Sequence, residues 1–162
     1  MKIVSDTGPI IGLAKIGKLD LLKMFSEEIL IPSFVNKELF GKIGPESGHI
    51  ERALNHFIHV ADVSALDSET ERIIADLDEG EKQAIGLASK MRGSVLLLLD
   101  DHAGRRAAAK LRIPTTGLVG FFLLAKEKGY INKVEPLLIE LRRNGYWLSD
   151  EIIEVARRLA CE

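Results

Sequence analysis

Short apolar runs alternate along this chain with stretches whose apolar residues recur at helical spacing. Ile3-Val4 leads into Asp6-Thr7-Gly8-Pro9. Ile29-Leu30-Ile31 stops at Pro32, a short run sits near His59-Val60, and Val95 to Leu99 ends at Asp100-Asp101. Such runs predict short strands, and the solid run Val95 to Leu99 predicts one buried on both faces. Between them lie helical patterns. Ile10, Ile11, Leu13 and Ala14 form one face, with Pro9 in the first turn and Thr7 or Gly8 as cap. Leu19, Leu21, Leu22 and Phe25 give a second short helix, and Ser33 caps a third carrying Phe34, Val35, Leu39 and Phe40. Further helices are expected from about Ile50 to Phe57 and behind the capping-box spacing Ser68-Glu69-Thr70-Glu71. Others run from Glu81 towards Met91, from Ala103 to Leu111, from Leu118 to Lys128, from Val134 to Arg143, and from Ser149-Asp150-Glu151 to Leu159. Gly41 to Gly48, with Gly44 and Pro45, reads as a loop.

Strands that alternate with helices imply an α/β fold with a parallel sheet, whose ligands bind beyond the carboxyl ends of the strands. The length of 162 residues fits one domain with a sizeable core. At 46% hydrophobic and 28% charged residues the composition is that of a folded protein and excludes a disordered one. A net charge of -2 excludes a generally basic nucleic-acid binder, though not a local basic patch. Cys161 is the only cysteine, so neither an intrachain disulfide nor a cysteine zinc site is available, which fits a reducing, cytoplasmic home. The first residues lack the features of a signal peptide, and the longest apolar run is far too short for a membrane span.

The chemistry is concentrated in acids. Two predicted strands end in aspartate, at Asp6 and at Asp100-Asp101, and Glu38 and Glu81 fall in neighbouring helices. If the central strands are neighbours, these carboxylates converge at one end of the sheet. Converging carboxylates resist joint ionisation, and a divalent cation removes that penalty. Such an ion can activate water and neutralise charge on a phosphate. Taken singly, each acid reads more readily as a helix cap or a solvated surface residue than as a site residue. His56 and His59 have i, i+3 spacing but no further ligand nearby, and His49 is distant in sequence. Neither a phosphate-binding loop nor the Rossmann glycine fingerprint is present. Asp6 as a phosphoaspartyl nucleophile lacks a supporting lysine on a later strand. Tyr146 and Trp147 could stack a base or pack beside Leu148. The run Leu118 to Leu124 is apolar on more than one stripe, which suits either simple core or a homodimer face.

The ordered set Val4-Ser5-Asp6-Thr7-Gly8-Pro9, Ile29-Leu30-Ile31-Pro32, Glu38-Leu39, Asp78-Glu79-Gly80-Glu81 and Leu98-Leu99-Asp100-Asp101 resembles the PIN-domain family of metal-dependent ribonucleases, which includes many prokaryotic toxins. The Gly-Glu and Asp-Asp forms, with the last part from Ala125 through Glu151, look like a prokaryotic branch of that family, so the resemblance spans nearly the whole chain. It implies a three-layer α/β/α sandwich with a central, mainly parallel sheet of four to five short strands, one domain over 1–162, and C-terminal helices 133–162 packed on it. It also implies a catalytic set of Asp6, Glu38, Glu81 and Asp101. Asp6, Glu81, Asp100 and Asp101 would hold Mg²⁺ or Mn²⁺, with one of the Asp100-Asp101 pair pointing inward. Thr7 would sit near the metal or its water. The more familiar toxins carry Ser, Thr or Asn before the last acids, where Leu99-Asp100-Asp101 stands here. Basic residues after the pair, Arg105, Arg106 and Lys110, together with Thr7, would contact single-stranded RNA. The expected function is a metal-dependent endoribonuclease, with an antitoxin protein as a partner that fills the groove. The other reading is a non-catalytic module that binds RNA or protein.

Overall fold

The structure, a computed structural model, describes residues 1–41, 44–91 and 93–162. Five strands, β1 (Lys2–Ser5), β2 (Ile29–Ile31), β3 (Ile58–Val60), β4 (Val95–Leu98) and β5 (Thr115–Thr116), form one sheet in the order β3-β2-β1-β4-β5. Every pairing is parallel. The chain steps outward from β1 through β2 to β3, then returns to the other side of β1 for β4 and β5. The strand order therefore reverses between β1 and β4, and a crevice opens there at their carboxyl ends.

Period-two alternation sends neighbouring side chains to opposite faces. Ile3, Ile29, Ile31, Ile58, Leu96 and Leu98 enter one core. Helices α1 (Thr7–Lys15), α2 (Leu21–Phe25), α3 (Ser33–Gly41) and α4 (Ser47–His56) cover that face, joined by α8 (Leu118–Glu127), α9 (Glu135–Arg143) and α10 (Asp150–Leu159). Val4, Leu30, Val95, Leu97 and Leu99 enter the other core, under α5 (Ser68–Ile74), α6 (Glu79–Ser89) and α7 (His102–Lys110). The result is a three-layer α/β/α sandwich. Leu138 and Leu141 of α9 and Ile153 and Ala156 of α10 belong to the first core, so these helices pack on the sheet's own layer. Phe121 and Phe122 are fully buried in α8, which makes that part of the apolar run core.

The local starts differ from expectation at several points. Asp6, not Thr7 or Gly8, is the N-cap of α1. Asp67, not Ser68, caps α5, with its side chain accepting from the Thr70 amide. Thr115-Thr116 forms a strand without any apolar run, because β4 offers its free edge and pairs Leu97 with Thr115 and Leu98 with Thr116. Of the expected loop 41–48, Gly41 ends α3 and Ser47-Gly48 begin α4, while positions 42 and 43 lie outside the described residues. No helix among the described residues is long and apolar enough to cross a membrane.

Candidate active site

The crevice between β1 and β4 is built from strand ends and helix starts. β1 and β4 run in register up to Ser5 and Leu98, and the Asp6 amide donates to the Leu98 carbonyl at 3.0 Å. Asp6 thus emerges beside the end of β4. Beyond the adjacent Thr7 amide its side chain makes no cap bond to α1, so helix capping does not account for this carboxylate. Asp100 leaves β4 on the same side. One of its oxygens, Oδ1, accepts from the Leu118 amide at the start of α8 (2.9 Å), and the other accepts from the Tyr146 hydroxyl.

Glu38 and Glu81 arrive on helices. Glu38 Oε1 accepts from the Thr7 hydroxyl at 2.8 Å, which ties α3 to the first turn of α1. Glu81 is buried at the third position of α6, inside a capping box. Its amide donates to Asp78 Oδ1 at 2.9 Å, and its own Oε2 accepts from the Asp78 amide at 3.3 Å. Gly80 lies buried between the acids. A Cβ there would stand 2.9 Å from Glu38 Oε1, 3.2 Å from Asp6 Oδ1 and 3.6 Å from Asp78 Oδ1. At Gly8 a Cβ would stand 3.2 Å from Asp100 Oδ2. The two glycines let the helix starts approach the carboxylates closely.

The electrostatics follow from this crowding. Burial, opposed by the Thr7 amide and reinforced by the charges of Asp78, Glu38 and Asp100, pushes the Asp6 carboxyl up to about 6. Burial also lifts Glu81 to about 7, helped by Asp78, Asp101 and Asp6 and opposed by the Asp78 amide bond. The Tyr146 hydroxyl is pushed well above the usual phenol range, by burial first and the Asp100 charge second. It therefore stays protonated and serves Asp100 as a donor.

The sequence-derived residues thus separate into two groups. Asp6, Glu38, Glu81 and Asp100 meet around the crevice. Asp101 is exposed and caps α7, with Oδ2 accepting from the Gly104 amide at 2.8 Å, yet its charge still acts on Glu81. The pair divides its work: Asp100 turns towards Asp6, and Asp101 lies on the Glu81 side. Arg105 is half-buried and donates through Nη1 to the carbonyls of Asp100 and Leu99 (3.2 Å for the latter). Arg106 is exposed on the same helix. Lys110 ends α7, about 13 Å along the helix from its cap, and does not join the acids.

The roles of two residues escaped the reading from sequence. Asp78 acts on both Asp6 and Glu81, and its signal was the Asp-x-x-Glu spacing to Glu81. Tyr146 holds Asp100 from 46 positions away, a pairing that no local pattern announces. Trp147 does not pack beside Leu148 but is 79% exposed. It lines a cleft of about 800 Å³ together with Asp100, His102, Arg105, Leu118 and Ile152.

The chain is thus a parallel α/β protein with an acid-rimmed crevice at its strand-order reversal, the place where such sheets bind their ligands. The particular family follows from comparison. A family model described as a PIN domain matches residues 2–162, so the chain belongs to the PIN-domain family. PIN domains carry nuclease-type activity and generally use divalent metal ions. A search of curated proteins finds no match.

Among the described residues no three His, Cys, Asp or Glu side chains are already closed around a point that would hold an ion. The donor set still suits Mg²⁺ or Mn²⁺. Such ions take one or two carboxylates and keep several waters, so a full protein cage is not required. Asp6 and Glu81 are carboxyls whose ionisation is held back by burial and by neighbouring acids, a penalty that a dication relieves. Zinc chemistry through His56 and His59 finds no support, as both are exposed and separated between α4 and β3.

Proposed function

We propose that this protein is a divalent-metal-dependent endoribonuclease that hydrolyses phosphodiester bonds of single-stranded RNA. The observation that carries this reading is the convergence of Asp6, Glu38, Glu81 and Asp100 on the β1/β4 crevice, with the carboxyls of Asp6 and Glu81 both raised. Bound there, Mg²⁺ or Mn²⁺ would supply an activated water and offset negative charge on the phosphate.

In this reading Asp6 and Glu81 hold the ion, and Asp101 adds charge from the Glu81 side. Asp100 is a positioning residue, because Leu118 and Tyr146 fix its two oxygens and so fix the charge facing Asp6. Glu38 orients solvent, and the Thr7 hydroxyl fixes its carboxylate. Arg105 has Nη1 committed to backbone carbonyls, which leaves Nε and Nη2 to meet a phosphate at the edge of the cleft. Arg106 gives the RNA backbone a second, weaker contact.

The test is cleavage of end-labelled single-stranded RNA by purified protein with Mg²⁺ or Mn²⁺. Expected are turnover with either ion, loss in EDTA, and loss in Asp6→Asn with the fold retained by circular dichroism. Undiminished cleavage by Asp6→Asn would reject the site. RNA binding without turnover across metals and substrates would favour a binding module instead.

A further inference from the structure

Trp147 is the most exposed large hydrophobic side chain among the described residues. A lone exposed apolar residue carries no meaning by itself. Trp147 differs because the chain on both sides of it is fixed and because it stands at a cleft. The Tyr146 hydroxyl donates to Asp100, and the Tyr146 amide donates to the Leu141 carbonyl at 3.0 Å. The Tyr146 ring lies against α1 at Gly12, where a Cβ would stand 3.1 Å from ring atom Cε2. On the other side Leu148 is buried, and Ser149 Oγ accepts from the Ile152 amide at 3.1 Å. The segment between α9 and α10 is thus pinned at each flank while the indole stays in solvent. A ring presented from a fixed backbone loses little freedom when a ligand covers it.

The cleft beside Trp147 continues the acid crevice. Asp100 belongs to both: its charge acts on Asp6, and it lines the cleft of about 800 Å³. That volume holds a nucleotide. Among the described residues lining the cleft, Asp100 is the only acid. Arg105 lines it as well, and Gly117 makes room for its guanidinium, since a Cβ there would stand 3.1 Å from Nη1. Nη1 is bonded to backbone carbonyls, which leaves the rest of the guanidinium to a ligand. Leu118 and Val119 add apolar surface. A flat aromatic face, an apolar lining and one guanidinium match the parts of an unpaired nucleotide, a base that stacks and a phosphate that carries charge. Continuity with the crevice favours RNA over a protein segment, because the neighbouring phosphate of the same strand falls at the acids.

We propose that Trp147 is a specificity-determining residue whose indole stacks an unpaired base of RNA beside the crevice, with Arg105 on the adjoining phosphate. The choice of RNA rests on the nuclease reading. A base held in a duplex is not free to stack there, so the site selects single strands. Trp147 is the only tryptophan of the chain, and its fluorescence therefore reports this one place. Binding is measured on the Asp6→Asn chain with Mg²⁺, using a short single-stranded RNA and the same RNA annealed to its complement. The single strand should quench the indole to saturation, and the duplex should leave it unchanged. By anisotropy of labelled RNA, adding Trp147→Ala should weaken single-strand binding about tenfold or more, while Trp147→Phe stays within about threefold. In cleavage by the otherwise wild-type chain, Trp147→Ala should raise KM by a similar factor and leave kcat within about threefold, because stacking holds substrate and transition state alike. The exposure of the indole lets both variants keep the fold. Unmoved fluorescence, equal quenching by the duplex, or undiminished binding by Trp147→Ala would overturn the proposal, and persisting cleavage would then leave the nuclease reading standing. Fluorescence that answers only to a protein partner would overturn it too. Quenching with loss of affinity in a chain that cuts no RNA would support the stacking site and reject the nuclease reading alone.

Discussion

Replacing Asp6 by asparagine should stabilise the metal-free protein while abolishing its activity. The Asp6 carboxyl is raised from 3.8 to about 6, chiefly by burial and then by Asp78, Glu38 and Asp100. Below about pH 4 this group is protonated in the folded and the unfolded chain alike, and it contributes nothing to the pH dependence. Between about pH 4 and pH 6 the unfolded chain releases the proton and the folded chain keeps it, so stability falls as pH rises. Above pH 6 the full penalty is present. A shift of about two pKa units corresponds to about 3 kcal/mol. The group is partly exposed, and solvent screening together with the imperfect fit of an amide reduces the gain to about 1–2 kcal/mol. For a domain of this size that amounts to a rise in Tm of about 3–6 °C. The assay is calorimetry in EDTA at pH 8 and again at pH 4, comparing variant with wild type. The difference should be present at pH 8 and be largely lost at pH 4. Asp62 and Asp67, whose carboxyls are lowered by bonds from Ser33 and Thr70, pull the whole-protein profile the other way but cancel in the comparison. A destabilised Asp6→Asn at pH 8, or a difference independent of pH, would refute the claim that burial and the neighbouring acids hold back the ionisation of Asp6.

Mg²⁺ or Mn²⁺ should raise the Tm of the wild-type protein more at pH 8 than at pH 5.5, because at the lower pH protons compete for Asp6 and Glu81; equal shifts would show binding elsewhere. Gly80→Ala should leave Tm nearly unchanged, since alanine favours the helix by up to about 1 kcal/mol, while its Cβ crowds Glu38 and Asp6 and weakens Mn²⁺ binding about tenfold by calorimetric titration. Tyr146→Phe removes one donor to Asp100 and should cost about 1 kcal/mol in urea unfolding, with cleavage lowered about tenfold because Leu118 still holds the other oxygen. Unchanged cleavage would free Asp100 from any positioning role.

The layers of this fold were legible wherever an apolar run met a breaker. The β1, β2 and β4 runs ended at Asp6, Pro32 and Asp100, and the structure stops the strands within two residues of those points. The order of the strands is not written in any local pattern. It depends on β4 choosing the free side of β1, a choice made by packing on both faces. β5 was invisible for a related reason: two threonines carry no hydrophobic signal, and only the open edge of β4 makes them a strand. Asp6, Glu81 and the Asp100-Asp101 pair could be found because strand ends and helix starts are where acids have physical work. Which of the aspartates faces inward required Tyr146 and the start of α8, both distant in sequence. Asp78 was hidden in plain sight, since in Asp78-Glu79-Gly80-Glu81 the glutamate draws the attention while Asp78 completes the capping box.

That capping box shows how folding and chemistry share one residue. A glutamate at the third position of a helix ordinarily turns back to the first amide, and this bond would withdraw Glu81 from the crevice. Here the bond is long, 3.3 Å, and uses only Oε2. Asp78, by contrast, accepts from the Glu81 amide at 2.9 Å and secures the helix start by itself. The start of α6 therefore does not depend on the Glu81 carboxylate, which can turn to a cation at the loss of one weak bond. The same Asp78 charge that secures the helix raises the proton affinity of Glu81 and Asp6, so the device that stabilises α6 also sharpens the demand for positive charge beside it. Stability taken from the helix cap is returned as repulsion in the crevice, and that repulsion is what a metal ion would relieve.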